Sequence, residues 1–293
     1  MAEADTTTSG LAFPRSRTEI EAALDELVRE NRFTIAVVFP AVGAVLLVAS
    51  AESLLPGPLS FNPYLILLGT LVMRLPLIAG VAPLLDRRAA VGIGLLTLYA
   101  YGIELLGVLT GFPYGAFEYG IDLGPMLFGL VPVGLPVFFF PLVLNAYLLV
   151  LLLLGDRAAS TLVRLVSVVG TVLAVDLVLD PGAVALTFWT YDGGGAFYGV
   201  PWSNYAGWVL SATVAVLAFD RSLDRLALTE RLRDTEFMLD DLVSFVVLWG
   251  SINAYFGNWI PVLVAAALGV GLLYTDRFDF TVRGTVPGFD RRG

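Results

Sequence analysis

The chain has 293 residues, 57% of them hydrophobic, and a mean hydropathy of +0.82, which excludes a water-soluble globule and points to helices that use the bilayer as solvent. Its net charge is −9, with 17 basic residues that are all Arg, and it has no His, Cys or Lys. These absences leave no ligands for a His-box di-iron centre, an axially bound haem, a thiolate cluster or a usual zinc site, and no amine for a retinal or pyridoxal Schiff base. Acid–base chemistry is left to carboxyls, Tyr and water. An acidic chain with Arg as its only base fits a high-salt setting, and nothing in it points to nucleic acid.

Residues 1–32 read as a cytoplasmic N-terminal segment. Acids are scattered through it and no short apolar core precedes a small-residue cleavage site, so it does not read as a signal peptide. Ile20, Leu24, Leu27 and Val28 recur at helical spacing within 18–31. That predicts an amphipathic helix, either lying on the bilayer surface or serving as a solvated lead-in. Residues 33–275 read as the integral membrane domain, and 276–293 as a cytoplasmic tail. The fold class is all-α: a polytopic helix bundle of about eight spans, near 33–50, 62–85, 91–111, 123–154, 161–180, 203–219, 240–256 and 259–275. The fourth run is too long for one straight span, and Pro132, Pro136 and Pro141 predict a bent or re-entrant start.

Arg placement orients the bundle. Only Arg74 lies well inside a span; the others precede the first span or fall in alternate connections, at Arg87 and Arg88, Arg157 and Arg164, Arg221 to Arg233, and the tail. The intervening connections, around 51–61, 112–122, 181–202 and 257–258, carry no Arg. The positive-inside rule then puts both termini in the cytoplasm of a multi-pass cell-membrane protein.

Ionisable groups inside spans are costly and usually paired or functional. Arg74, Glu104 and Asp176 are such groups, and Asp180 follows Asp176 by one helical turn on the same face. An outward-opening pocket could gather them with Asp122 and Glu118. Plain structural readings stand beside this one. Arg74 could form a helix-packing bridge with Glu104 or Asp176, Asp180 could end its helix before Pro181, Glu118 and Asp122 could be solvated loop acids, and Asn145 could be an interhelical hydrogen-bond partner. Between the fifth and sixth spans, Phe188, Trp189, Tyr191, Phe197, Tyr198 and Trp202 surround three glycines, with Asn204, Tyr205 and Trp208 just beyond. This is the composition of either a lid over a polyene groove or an interfacial aromatic belt. Candidate substrate-binding residues are Trp189, Tyr191, Tyr198, Asn204, Trp208, Tyr101 and Asp122.

The stretch ELLGVLTGFPYGAFEY at 104–119, LGP at 123–125, DLVLDP at 176–181, FWTY at 188–191 and YGVPWSNYAGW at 198–208 together resemble the carotenoid biosynthesis membrane family that includes the carotenoid hydratases. The resemblance runs in order over roughly 60–275. Tyr114, Ala116 and Tyr191 depart from the family's usual residues. For a high-salt member, the resemblance implies addition of water to the terminal isopentenyl double bonds of a fifty-carbon carotenoid, bisanhydrobacterioruberin, giving bacterioruberin. It also implies a polyene substrate and the lipid bilayer as partners, with other carotenoid-synthesis enzymes as neighbours.

The residues fit that chemistry. Markovnikov hydration needs a proton donor and a group that orients water, with no metal and no cofactor, and burial keeps a carboxyl protonated. Asp176 or Glu104 is the candidate donor, Asp180 the candidate base, and Arg74 the charge that holds a neighbouring acid ionised. Two other classes stay open. An intramembrane prenyltransferase would use the Asp176 and Asp180 spacing for a magnesium diphosphate, and a transporter could also bury such groups.

Overall fold

A computed structural model describes residues 16–277. Each of the eight apolar runs contains a helix. The first helix, α1 (Arg17–Glu30), starts in a capping box formed by Ser16 and Glu19. A π-helical segment (Thr34–Val38) leads into α2 (Phe39–Ala51), and α3 (Pro63–Val81), α4 (Arg87–Thr110), α5 (Leu135–Leu154) and α6 (Thr161–Ala185) follow. The chain continues through α7 (Trp202–Ser222), α8 (Arg225–Asp234), α9 (Asp240–Tyr255) and α10 (Trp259–Tyr274). Among the described residues six helices are long and apolar enough to cross a membrane, or seven if α7 and α8, which meet at a 95° bend, form one broken span; α10, with 16 residues, is shorter.

The core sits on α5, which is apolar all round and buried continuously from Pro141 to Leu151, as a helix surrounded by other helices must be. Val172 and Val175 of α6, Ala212 and Val216 of α7, and Leu242 and Ile252 of α9 pack in the same core. The outer faces of the bundle carry exposed Val45, Leu98, Leu162 and Leu263, at 67–70% of their surface, where lipid tails take the place of a protein neighbour.

The amphipathic helix at the N-terminus docks on protein. Val28 is fully buried with Ile35, Ala79 and Phe237, and Leu24 packs beside them, while Ile20 and Leu27 stay exposed. Arg17 donates to the carbonyls of Ala82 and Leu85 at 2.9 Å, and Arg231 of α8 pairs with Asp25 at 2.6 Å. The connections rich in Arg are thus tied into one end of the bundle.

Two expectations are corrected at the opposite end. The predicted re-entrant start of the fourth span is a hairpin: strands β2 (Met126–Leu127) and β3 (Val131–Pro132) pair antiparallel, and the helix begins only at Leu135, with Pro136 in its first turn. That first turn tolerates Pro because its N–H would be unpaired anyway. The helix containing Asp180 does not stop there either, for α6 continues through Pro181 to Ala185. Side-chain amides from the next layer bond the carbonyls around that interruption: Asn253 donates to Val178 at 2.7 Å and Asn258 to Pro181 at 3.3 Å.

Candidate active site

Two segments outside the helices close this end over a cavity. Strand β1 (Phe117–Tyr119) follows α4 and pairs antiparallel with β4 (Trp189–Tyr191), which follows α6; Phe117 faces Tyr191 and Tyr119 faces Trp189. Because side chains alternate along a strand, Phe117, Tyr119, Trp189 and Tyr191 line the cavity, whereas Glu118 and Thr190 are exposed. Gly120 fits against the Thr187 carbonyl so closely that a Cβ there would lie 2.3 Å from it. Only glycine allows that approach of the two segments.

The cavity has a volume of about 140 Å³. Its walls are apolar and aromatic, with Phe139 stacked on Trp208 at 5.8 Å and 22°, and with Phe188 meeting Trp249 edge-on. Two carboxyls face into it, Glu104 from α4 and Asp180 from α6, and among the described residues no basic side chain lines it. Tyr119 donates its hydroxyl to Glu104 Oε1. Tyr191 donates to Asp180 Oδ2 at 3.1 Å, and the Asn204 amide of α7 donates to the same oxygen. That amide nitrogen also donates to Asp176 Oδ2 at 2.9 Å. Asp176 lies behind Asp180, 1% exposed, and its buried Oδ1 has no hydrogen-bond partner among the described residues.

The two phenols are fixed as donors. Burial foremost pushes the Tyr119 and Tyr191 hydroxyls well above an ordinary phenol, and the charge of Asp180 adds to the effect at Tyr191. Each carboxyl therefore receives a phenolic O–H, a strong hydrogen bond when the acceptor is ionised. The site presents two oriented carboxyls to an apolar space, a geometry suited to moving a proton onto and off a hydrocarbon.

Residues 61–272 match the sequence model of the family described as carotenoid biosynthesis protein. The chain belongs to that family. It is also 66% identical over 284 residues to the bisanhydrobacterioruberin hydratase of Haloarcula japonica, an alignment covering 97% of each chain. No solved structure matches it.

In this carotenoid biosynthesis protein, Glu104, Asp180, Trp189, Tyr191, Asn204 and Trp208 meet at the cavity, and Asp176 stands one layer behind. Four other candidates lie elsewhere. The expected bridge from Arg74 to Glu104 or Asp176 is not formed. Arg74 of α3 is paired with Asp241 in the first turn of α9, an acid that also receives Asn145 Nδ2 at 2.6 Å, and Arg74 Nε donates to the Val137 carbonyl at 3.2 Å. Tyr101 spends its hydroxyl on the Val133 carbonyl at 2.6 Å, and Asp122 accepts the Gly124 N–H of its own turn at 2.8 Å. Tyr198 reaches the Ile260 N–H at 3.4 Å and packs on Phe197.

Sequence reasoning passed over Tyr119, Phe139, Trp249 and Asp241. Tyr119 stands in a strand of three residues, too short for its alternation to mark it in the sequence. Phe139 sits in α5, a helix of almost wholly apolar residues, where no face is marked by the sequence. Among the described residues no three carboxyls come close enough together to hold a metal ion.

Proposed function

We propose that this protein is a carotenoid hydratase that adds water to the terminal isopentenyl double bonds of bisanhydrobacterioruberin to give bacterioruberin. The likeness over 97% of the chain to the Haloarcula japonica hydratase supports the substrate. The observation that carries the chemistry is the pair of carboxyls, each held by a phenol, facing an otherwise apolar cavity.

In this reading the Glu104 carboxyl gives its proton to the CH carbon of the terminal double bond. The π electrons form the new C–H bond, leaving a tertiary cation at the dimethyl carbon. The faces of Trp208 and Trp249 attract that cation, an effect of about 0.5–2 kcal/mol for a desolvated cation on an indole. A water held by Asp180 forms the C–O bond and passes its proton to Asp180, producing the tertiary alcohol. A proton returned through water from Asp180 to Glu104 restores the site. Tyr191 and Asn204 both donate to Asp180, which suits the base, and Glu104, with a single donor, suits the acid. Asp176 shares the Asn204 amide and keeps it aimed at Asp180.

We further read the protein as a multi-pass cell-membrane enzyme with both termini cytoplasmic, working beside other enzymes of carotenoid synthesis. Purified protein in nanodiscs given bisanhydrobacterioruberin in heavy-oxygen water tests the reaction. Product that carries the label in its tertiary alcohol, with or without chelator, supports carboxyl-catalysed hydration. Label that comes only from molecular oxygen, or no hydration of this substrate, overturns it.

A further inference from the structure

Arg74 lies apart from the cavity, although a guanidinium only 11% exposed among apolar helices is among the most costly side chains in the molecule to bury. Its contacts give it a different task. Helix α5 contains Pro141, and proline has no N–H to close the turn onto the carbonyl four residues earlier. That carbonyl belongs to Val137, and Arg74 Nε donates to it. The other face of the guanidinium is fixed by Asp241, which sits in the first turn of α9, where a helix favours negative charge. Asp241 in turn holds Asn145, one turn beyond Pro141 on α5. The network therefore grips α5 on both sides of its proline.

What the gripped turn carries matters to the reaction. Leu135, Phe138, Phe139 and Leu142 of this part of α5 line the cavity, and Phe139 is the ring on which Trp208 stacks. A carbonyl left bare in an apolar interior seeks another donor and re-aims the turn that bears it. We propose that Arg74 is a positioning residue: anchored by Asp241, it supplies the hydrogen bond that Pro141 denies to Val137 and so sets how the first turns of α5 present the aromatic wall to the chain end of the polyene. This rests on the hydratase reading only for the identity of the polyene.

The experiment avoids stranding a buried charge by changing the pair together. Arg74→Gln/Asp241→Asn, Pro141→Ala, the triple variant and the unchanged protein are compared in nanodiscs. Binding of bisanhydrobacterioruberin is followed by quenching of Trp fluorescence, and hydration by product mass. A group that acts on fit raises KM and Kd with little change in kcat. The charge-neutral pair variant should weaken binding about tenfold with kcat within about threefold. Pro141→Ala gives Val137 an N–H partner within its own helix, so in the triple variant loss of Arg74 should cost less than about threefold, a strong coupling in the double-mutant cycle. Unchanged binding with a kcat fall of a hundredfold or more would place Arg74 in the chemistry and overturn the proposal, as would strictly additive effects of the two changes. If the unchanged protein binds the polyene without hydrating it, the hydratase reading fails while the binding cycle still decides the role of Arg74. Arg74→Lys, which keeps charge but lacks a fixed fork, should recover less than half of the lost binding free energy.

Discussion

Glu104→Gln isolates proton transfer from packing. The replacement keeps the side-chain shape and an oxygen for the Tyr119 hydroxyl, so the hydrogen bond that holds residue 104 in place is retained. What disappears is the transferable proton, and loss of a general acid lowers rate by about 10²- to 10⁴-fold, or about 2.7–5.4 kcal/mol of barrier. Tyr119→Phe makes the complementary change, leaving the carboxyl but removing its donor. A hydrogen bond to a charged group contributes about 1.5–3 kcal/mol, so turnover should fall by roughly ten- to a hundredfold. The expected order is therefore Glu104→Gln below Tyr119→Phe below the unchanged protein, with polyene binding near native in both. Single-turnover hydration in nanodiscs, read as gain of one and then two waters by mass, measures this. Near-native turnover in Glu104→Gln, or a Tyr119→Phe variant slower than it, would refute the assignment of Glu104 as acid.

Asn204→Leu removes the amide that both Asp176 and Asp180 share; hydration should be lost and thermal stability in detergent lowered, and a variant with native turnover would show that the shared amide is dispensable. Arg74→Leu alone leaves Asp241 buried with Asn145 as its remaining side-chain donor, so unfolding should become easier by about 3–5 kcal/mol, the usual cost of breaking one side of a buried ion pair. Adding Asp241→Asn should recover most of that loss in a thermal scan. Gly207→Ala places a methyl 2.5 Å from the Tyr114 ring; the ring must shift, and polyene binding should weaken severalfold while the helices remain intact by circular dichroism. For topology, Cys at Asp192 in this cysteine-free chain should react with an impermeant thiol reagent on intact cells and Cys at Arg88 only after lysis; the reverse pattern inverts the orientation.

How far the molecule can be read from its sequence depends on how far apart the interacting residues lie. Apolar runs gave the helices, because a helix satisfies its own backbone in lipid and needs nothing distant to do so. Asp176 and Asp180 share a helix face by local geometry, and Asn204 and Trp208 stand beside an aromatic segment whose Phe188, Trp189 and Tyr191 reach the cavity. The partner of Arg74 was hidden, since Asp241 lies 167 residues away and nothing in the spacing ties α3 to α9. The short strands were hidden as well. Two or three residues carry too little periodicity to signal a strand, and the 123–134 segment looked like the start of a span because its prolines lie among apolar residues. At Pro181 the local rule that a residue before proline leaves the helix yielded to tertiary context, with Asn253 and Asn258 bonding the carbonyls around the interruption.

The two phenols that hold Glu104 and Asp180 hang from a single two-stranded ribbon, one on each strand. They cannot be moved independently: lifting the ribbon releases both carboxyls together, and seating it arms both together. The same arrangement makes the ribbon intolerant of length changes. One residue inserted before Phe117 that slipped β1 by a single place would turn Phe117 and Tyr119 outward and swing Glu118 over the hydrocarbon. A residue added between Gly193 and Gly194, beyond β4 and with open space around both, would leave the pairing untouched. Across variants of this protein, length should therefore drift in the glycine turn and stay fixed from Gly111 to Tyr119.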